Sequence, residues 1–153
     1  MTLEFECGGA EVLDVAMVVM RCAFDPRFGE AWNAAQCAGV LALPGSMLII
    51  ARAGELPIGF CLVRTMAEEV ELMLIAVVPD ARGRGVGRAL LEEAMTRAQA
   101  NGALRAFLEV RSDNAAIALY QKSGFGRVGV RANYYRGSDG HLRDAFTFRR
   151  DLA

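Results

Sequence analysis

Between Glu71 and Pro79 the chain carries an unbroken apolar run, Leu72-Met73-Leu74-Ile75-Ala76-Val77-Val78. A run this short, closed by Pro79-Asp80, predicts a central β-strand buried on both faces. It leads into Ala81-Arg82-Gly83-Arg84-Gly85-Val86-Gly87-Arg88 and then into a helical pattern from Val86 to Asn101, with Leu91, Ala94, Met95 and Ala98 on one face. Asn101-Gly102 is a helix stop. Strand, glycine-rich turn and helix in direct succession restrict the chain to an α/β layer structure.

The remaining segments fit that frame. Leu3, Phe5 and Cys7 alternate with Glu4 and Glu6 as in a half-buried strand. Helical spacing covers Glu11 to Phe24, and a second helix is expected from Glu30 to about Ala42. Met47–Arg52 and Ile58–Thr65 read as strands, Leu104–Arg111 as a strand, and Asn114–Ser123 as a helix. Arg127–Tyr134 and Leu142–Arg150 read as closing strands around the turn at Ser138-Asp139-Gly140. With 153 residues, 54% of them hydrophobic, a single domain over residues 1–153 is expected and disorder is excluded.

Other classes fall away on composition. Cys7, Cys22, Cys37 and Cys61 form no C-x-x-C pair and His141 is the lone histidine, so buried free thiols are expected and no metal site. The uncharged stretch from Ala31 to Ala51 is long enough for a membrane helix, but the Leu43-Pro44-Gly45-Ser46 turn interrupts it. Met1-Thr2-Leu3-Glu4 lacks the basic start and apolar core of a signal peptide, so a cytoplasmic location is expected. The net charge of −1 conceals a split: residues 1–80 carry 11 acids and 4 bases, residues 81–153 carry 7 acids and 13 bases. Asp25 and Glu30, in the acidic half, suggest attraction for a cationic acceptor. A near-zero total with arginines clustered at one loop argues against nucleic acid as a partner.

The glycine-arginine segment suits a pyrophosphate, because glycines allow close backbone approach and a helix start presents N–H groups to an anion. A Walker loop is absent, and the alternating Gly83, Gly85 and Gly87 do not fit the dinucleotide fingerprint. The spelling Arg82-Gly83-Arg84-Gly85-Val86-Gly87 follows R-x-x-G-x-G and resembles the pyrophosphate loop of the GNAT superfamily of acetyl-CoA-dependent N-acetyltransferases. Leu108-Glu109-Val110-Arg111, Leu119-Tyr120, Gly124-Phe125 and Arg131-Ala132-Asn133-Tyr134-Tyr135 are similar, more narrowly, to the ribosomal-protein-alanine N-acetyltransferase family.

The resemblance implies a mixed, mostly antiparallel twisted sheet with helices on both faces, and acetyl-CoA as co-substrate. It places Ile75, Ala76 and Val77 along the pantetheine and thioester, and Arg82, Gly83, Arg84, Gly85, Val86, Gly87 and Arg88 on the pyrophosphate. Glu109 would be the general base that takes a proton from the amine, although its residue-level reading is a solvated carboxylate paired with Arg105 or Arg111. Tyr120 would protonate the leaving thiolate, or else be a core aromatic. Asn114 would contact the coenzyme or cap its helix. The segment Asn114-Ala115-Ala116-Ile117-Ala118-Leu119-Tyr120 is one residue shorter than the family pattern, so Asp113 competes with Asn114 for that place. Tyr134 and Tyr135 would line a peptide groove or cover the sheet.

The expected activity is acetyl transfer to a primary amine, with the N-terminal alanine of a protein such as a ribosomal protein as acceptor. The alternatives are a small amine (polyamine, amino acid or aminoglycoside) or a non-catalytic acyl-CoA sensor. No membrane partner is expected, and the chain would act as a monomer or homodimer.

Overall fold

The computed structural model describes residues 2–23, 32–137 and 139–152. Its elements are β1 (Leu3–Gly8), α1 (Leu13–Ala23), α2 (Ala34–Leu41), β2 (Ser46–Ala53), β3 (Leu56–Met66), β4 (Glu69–Val77), α3 (Val86–Ala100), β5 (Arg105–Arg111), α4 (Ile117–Lys122), β6 (Gly126–Arg136) and β7 (Leu142–Asp151). The strands form one sheet in the order β1-β2-β3-β4-β5-β7-β6. Only β4 and β5 run parallel; every other neighbouring pair is antiparallel. This is the expected α/β architecture with a mostly antiparallel sheet.

Both faces of the sheet are covered, and the reason is visible in β2 and β3. Leu48, Ile49, Ile50 and Ala51 are fully buried, as are Phe60, Cys61 and Leu62. On one side Leu48, Ile50, Phe60 and Leu62 pack with Ala16, Val19 and Met20 of α1. On the other, Ile49, Ala51, Cys61 and Val63 pack with Leu90, Leu91, Ala94 and Met95 of α3. Among the described residues, no helix is long and apolar enough to cross a membrane.

Three details differ from the sequence reading. The second helix begins at Ala34 because Asn33 and Gln36 form a capping box: the Asn33 Oδ1 accepts from the Gln36 N–H, and the Gln36 Oε1 accepts from the Asn33 N–H, both at 2.8 Å. Glu30 and Ala31, where that helix was expected to start, lie outside the described residues, as do Asp25 and the residues around it. Two-faced burial belongs to β2 and β3 rather than to residues 72–78, for in β4 buried and half-buried residues alternate up to Val77. Finally, two of the cysteines are not buried: Cys22 is exposed and Cys7 half-buried, whereas Cys37 and Cys61 are buried, all four as free thiols.

The alternation in β4 contains a reversal. Leu62 pairs with Leu74 and the next residue, Val63, pairs with Leu72, which leaves Met73 as an extra residue in β4. A single inserted residue exchanges the two faces downstream. Val70 and Leu72 accordingly join the core under α3, whereas Leu74 and Ala76 join the core under α1. The parallel pairing with β5 stops at the same place, at Leu72 opposite Leu108. Beyond it β4 runs on to Val77 and β5 to Arg111 with no ladder between them. The sheet forks there.

Candidate active site

Two cavities meet at the fork. The first, about 610 Å³, lies under the glycine-arginine loop and is lined by Ile75, Ala76 and Val77, by Arg82, Gly83, Gly85, Val86, Gly87 and Arg88, and by Asn114, Leu119 and Tyr120. Gly83 and Gly85 adopt φ of +76° and +81°, a left-handed backbone that a side chain would strain. Gly85 is also the N-cap of the 15-residue α3 and supplies no capping side chain. The opening N–H groups of α3 consequently face the cavity without intrahelical acceptors, an anion site by geometry and dipole.

The three loop arginines divide. Arg88 lines the cavity, while Arg84 is exposed and does not. Arg82 lines it too, but its guanidinium is bonded to main chain: Nε donates to the Val77 carbonyl at 3.1 Å and an Nη to the Ala23 carbonyl at 2.7 Å. The buried Arg111 also borders this cavity and is paired with Asp113.

The second cavity, about 250 Å³, occupies the gap between the diverging strands. Its walls include Glu71, Met73 and Ile75 of β4, Leu108 and Glu109 of β5, and Trp32, Asn114, Tyr120, Tyr134 and Tyr135. Ile75, Asn114 and Tyr120 therefore border both cavities. Tyr120 is also a core residue, with its ring edge-on to Phe125 at 6.2 Å and tilted to Phe148 at 6.5 Å. Tyr120 is thus both a core aromatic and part of the wall of each cavity.

Glu109 has neither partner expected from its own strand. Arg105 pairs with Glu68 and Glu69, and Arg111 turns to Asp113. The partner of Glu109 comes instead from β6, which β7 separates from β5 in the sheet. That partner is Arg131 of β6, whose Nε lies 3.2 Å from the Glu109 carboxylate. Arg131 also rests on the Tyr134 ring, 5.3 Å from its centroid.

Asn114 begins a turn rather than the helix. Its Oδ1 accepts from the Ala116 N–H at 2.8 Å, and α4 starts only at Ile117, three residues later than expected. The compact turn fits the one-residue shortening of this segment. Asn114 borders both cavities, whereas Asp113 is tied to Arg111 and Arg143.

The tyrosine pair reaches the cleft through a second irregularity. Arg131 is opposite Ala145 and Tyr135 opposite Arg143, so β6 carries extra residues between them. Asn133, at φ +54°, donates its N–H to the Asp144 carboxylate at 2.9 Å within this bulge. Tyr134 and Tyr135 are brought edge to face, 5.2 Å apart, on the cleft wall.

Glu71 and Met73 escaped the sequence reading. The available signal for Glu71 was a lone acid between Val70 and Leu72 at the start of an apolar run. Although its side chain reaches the surface, enclosure at the fork and then the Glu109 carboxylate raise its pKa above the ordinary glutamate value. Elsewhere burial pushes the Cys61 thiol far up, which keeps it protonated and unreactive. Among the described residues no three His, Cys, Asp or Glu side chains are grouped to hold a metal ion.

The site thus joins an anion-binding loop at the end of a splayed strand to a carboxylate and a tyrosine at the fork. The chain belongs to the acetyltransferase (GNAT) family, whose pattern matches residues 14–125. It is 42% identical over 127 residues to N-alpha-acetyltransferase RimI of Mycobacterium tuberculosis (strain ATCC 25618 / H37Rv), covering 80% of this chain and 77% of that protein. It is 43% identical over 82 residues to the [ribosomal protein bS18]-alanine N-acetyltransferase of Escherichia coli (strain K12), covering 53% of this chain and 55% of that protein. With that relative the matched stretch spans about half of each chain. The crystal structure of the ribosomal-protein-S18-alanine N-acetyltransferase from Escherichia coli superposes with a TM-score of 0.89 at 27% identity, over 99% of this chain and 95% of that one.

Proposed function

We propose that this chain transfers the acetyl group of acetyl-CoA to the α-amine of a protein whose N-terminal residue is alanine, such as a ribosomal protein. The observation that carries the reading is the position of Tyr120, which borders both the loop cavity and the cleft that holds Glu109. A donor entering along one cavity and an acceptor entering along the other would meet at this side chain. The acceptor named for the Escherichia coli relative supports a protein N-terminus over a small amine.

In this reading the loop from Gly83 to Arg88 receives the pyrophosphate and the main chain of Ile75, Ala76 and Val77 guides the pantetheine and thioester. Arg84 adds positive charge from outside the cavity, and Asn114 reaches the coenzyme from the other wall. Glu109, directly or through a water, removes a proton from the acceptor ammonium, because only the neutral amine is a nucleophile. The amine nitrogen attacks the thioester carbon, and a main-chain N–H near Val77 receives the developing oxyanion. The C–S bond then breaks as Tyr120 gives its proton to the sulfur, since a thiol with a pKa of about 8.5 leaves more readily when protonated, and the extra proton on the attacking nitrogen passes through water to restore the tyrosine. The products are an acetylated N-terminus and free coenzyme A. Tyr134 and Tyr135, with Trp32, flank the incoming peptide, and Glu71 and Glu109 favour its positive end.

The test offers acetyl-CoA with a peptide starting in alanine and, separately, with a panel of polyamines, amino acids and aminoglycosides. Mass spectrometry of the products decides between them. Acetylation of the peptide amine is the expected result, and a clear preference for small amines would overturn the acceptor assignment. Coenzyme binding without acetylation of any amine would make the chain a sensor.

A further inference from the structure

Arg82 borders the loop cavity, and its guanidinium is bonded there to two main-chain carbonyls. We propose that Arg82 is a positioning residue: its guanidinium latches the end of α1 to the end of β4, so that the coenzyme loop and the last turn of α1 are held as one body. The inference rests on the assignment of the loop cavity to acetyl-CoA and of the cleft to the acceptor.

Three observations support it. The guanidinium spans two carbonyls, of Val77 at 3.1 Å and of Ala23 at 2.7 Å, that belong to elements far apart in sequence. The Ala23 carbonyl is in the last turn of α1, where helix geometry leaves carbonyls without partners and the dipole favours a cation. Ala23 and Val77 both border the loop cavity, and nine positions after Ala23 the chain supplies Trp32 to the wall of the acceptor cleft. A charged donor that forks between two acceptors suits this work better than a lysine, whose single ammonium is less pre-organised.

The latch predicts a division of labour among the loop arginines. Arg82→Ala should leave the Kd for coenzyme A within about twofold, yet raise the KM for an alanine peptide roughly five- to tenfold, the range expected on losing charge-assisted hydrogen bonds. Arg82→Lys should recover part of that loss. Arg88→Ala should do the reverse, weakening coenzyme A and sparing the peptide KM. Amide hydrogen exchange at residues 19–23 of the ligand-free protein should be faster in Arg82→Ala than in the wild type, a readout independent of activity.

Weakening of coenzyme A in Arg82→Ala equal to that in Arg88→Ala, with unchanged exchange at the end of α1, would overturn the latch. Should Arg82→Ala fail to fold, Arg82→Gln, which lacks the charged fork, carries the same comparison, and wild-type exchange in it would also overturn the proposal. Titration of wild-type protein with coenzyme A tests the loop assignment separately. If that titration shows no binding, the acetyl-CoA reading falls while the exchange comparison still decides the latch.

Discussion

Glu109 stands on β5 where the ladder to β4 has just ended, with Arg131 on one side and Glu71 across the fork. If it is the base, Glu109→Gln keeps the shape and removes the proton acceptor. kcat should fall by roughly 10²- to 10⁴-fold while the Kd for coenzyme A is unchanged, checked by steady-state kinetics beside calorimetry. Glu71 makes a separate prediction about stability. Its pKa is raised by enclosure and by Glu109, so the folded protein binds this proton more tightly than the unfolded chain. That contribution is complete below the ordinary glutamate range and is lost as the pH rises through Glu71's own titration. Glu71→Gln should therefore melt higher than the wild type at about pH 7, with the gap closing as the pH falls towards about 4. A gap that does not change with pH would exclude this origin. Short motifs singled out Glu109 and Tyr120, which both border the cleft, whereas Glu71 and Arg131 went unmarked, because each approaches Glu109 from a strand of its own.

At the scale of elements, two bulges and one cap build the site. The extra residue at Met73 reverses the faces of β4, which puts Ile75 and Val77 on the α3 side, beside the loop. The extra residues before Tyr135 bring the tyrosine pair onto the cleft wall. Gly85 caps α3 with a left-handed backbone. Gly85→Ala should cost about 1–2 kcal/mol of stability, the penalty of placing a Cβ in that conformation. It should also weaken coenzyme binding, because relief of the strain would turn the first N–H groups of α3 away. Thermal melts and calorimetry on one preparation would show both effects, and unchanged affinity would separate the cap from the binding site. The helices and strands were legible from periodicity and the glycine cap from its spelling. Bulges were not, since an extra residue shows only against the register of the partner strand.

Across the whole molecule, the charge split has a structural sequel. In the positive half, Glu92, Glu93, Glu109, Asp113, Asp139 and Asp151 each pair with an arginine, and Asp144 accepts from Asn133. Most of the positive charge beyond the loop is thereby matched locally. Among the described residues Arg84 and Arg88 form no ion pair, Glu92 on the next turn of α3 being paired with Arg150, and they leave the loop the positive end of the site. Coenzyme A should therefore bind more weakly as ionic strength rises, by roughly threefold between low and moderate salt, and the dependence should flatten in a variant lacking both arginines. The two cores are the other property of this scale. Leu90 is fully buried in the α3 core, so Leu90→Ala should cost about 2–5 kcal/mol in denaturant unfolding, with no specific effect on the acceptor KM.

What acts over a few residues can be read along the chain: the strand that ends at Pro79, the glycine turn, the start of α3, and the family to which their spelling points. Where β4 parts from β5, which acid lies near Glu109, which arginine holds it, and that Arg82 turns to carbonyls emerge on folding alone. The physical reason is the range of the forces involved. Backbone preference and hydrophobic period act along the chain, whereas strand register and ion pairing are settled between residues tens of positions apart. The apolar run from Leu72 illustrates both sides: its strand was plain from the residues, and the fork that gives it a function was not.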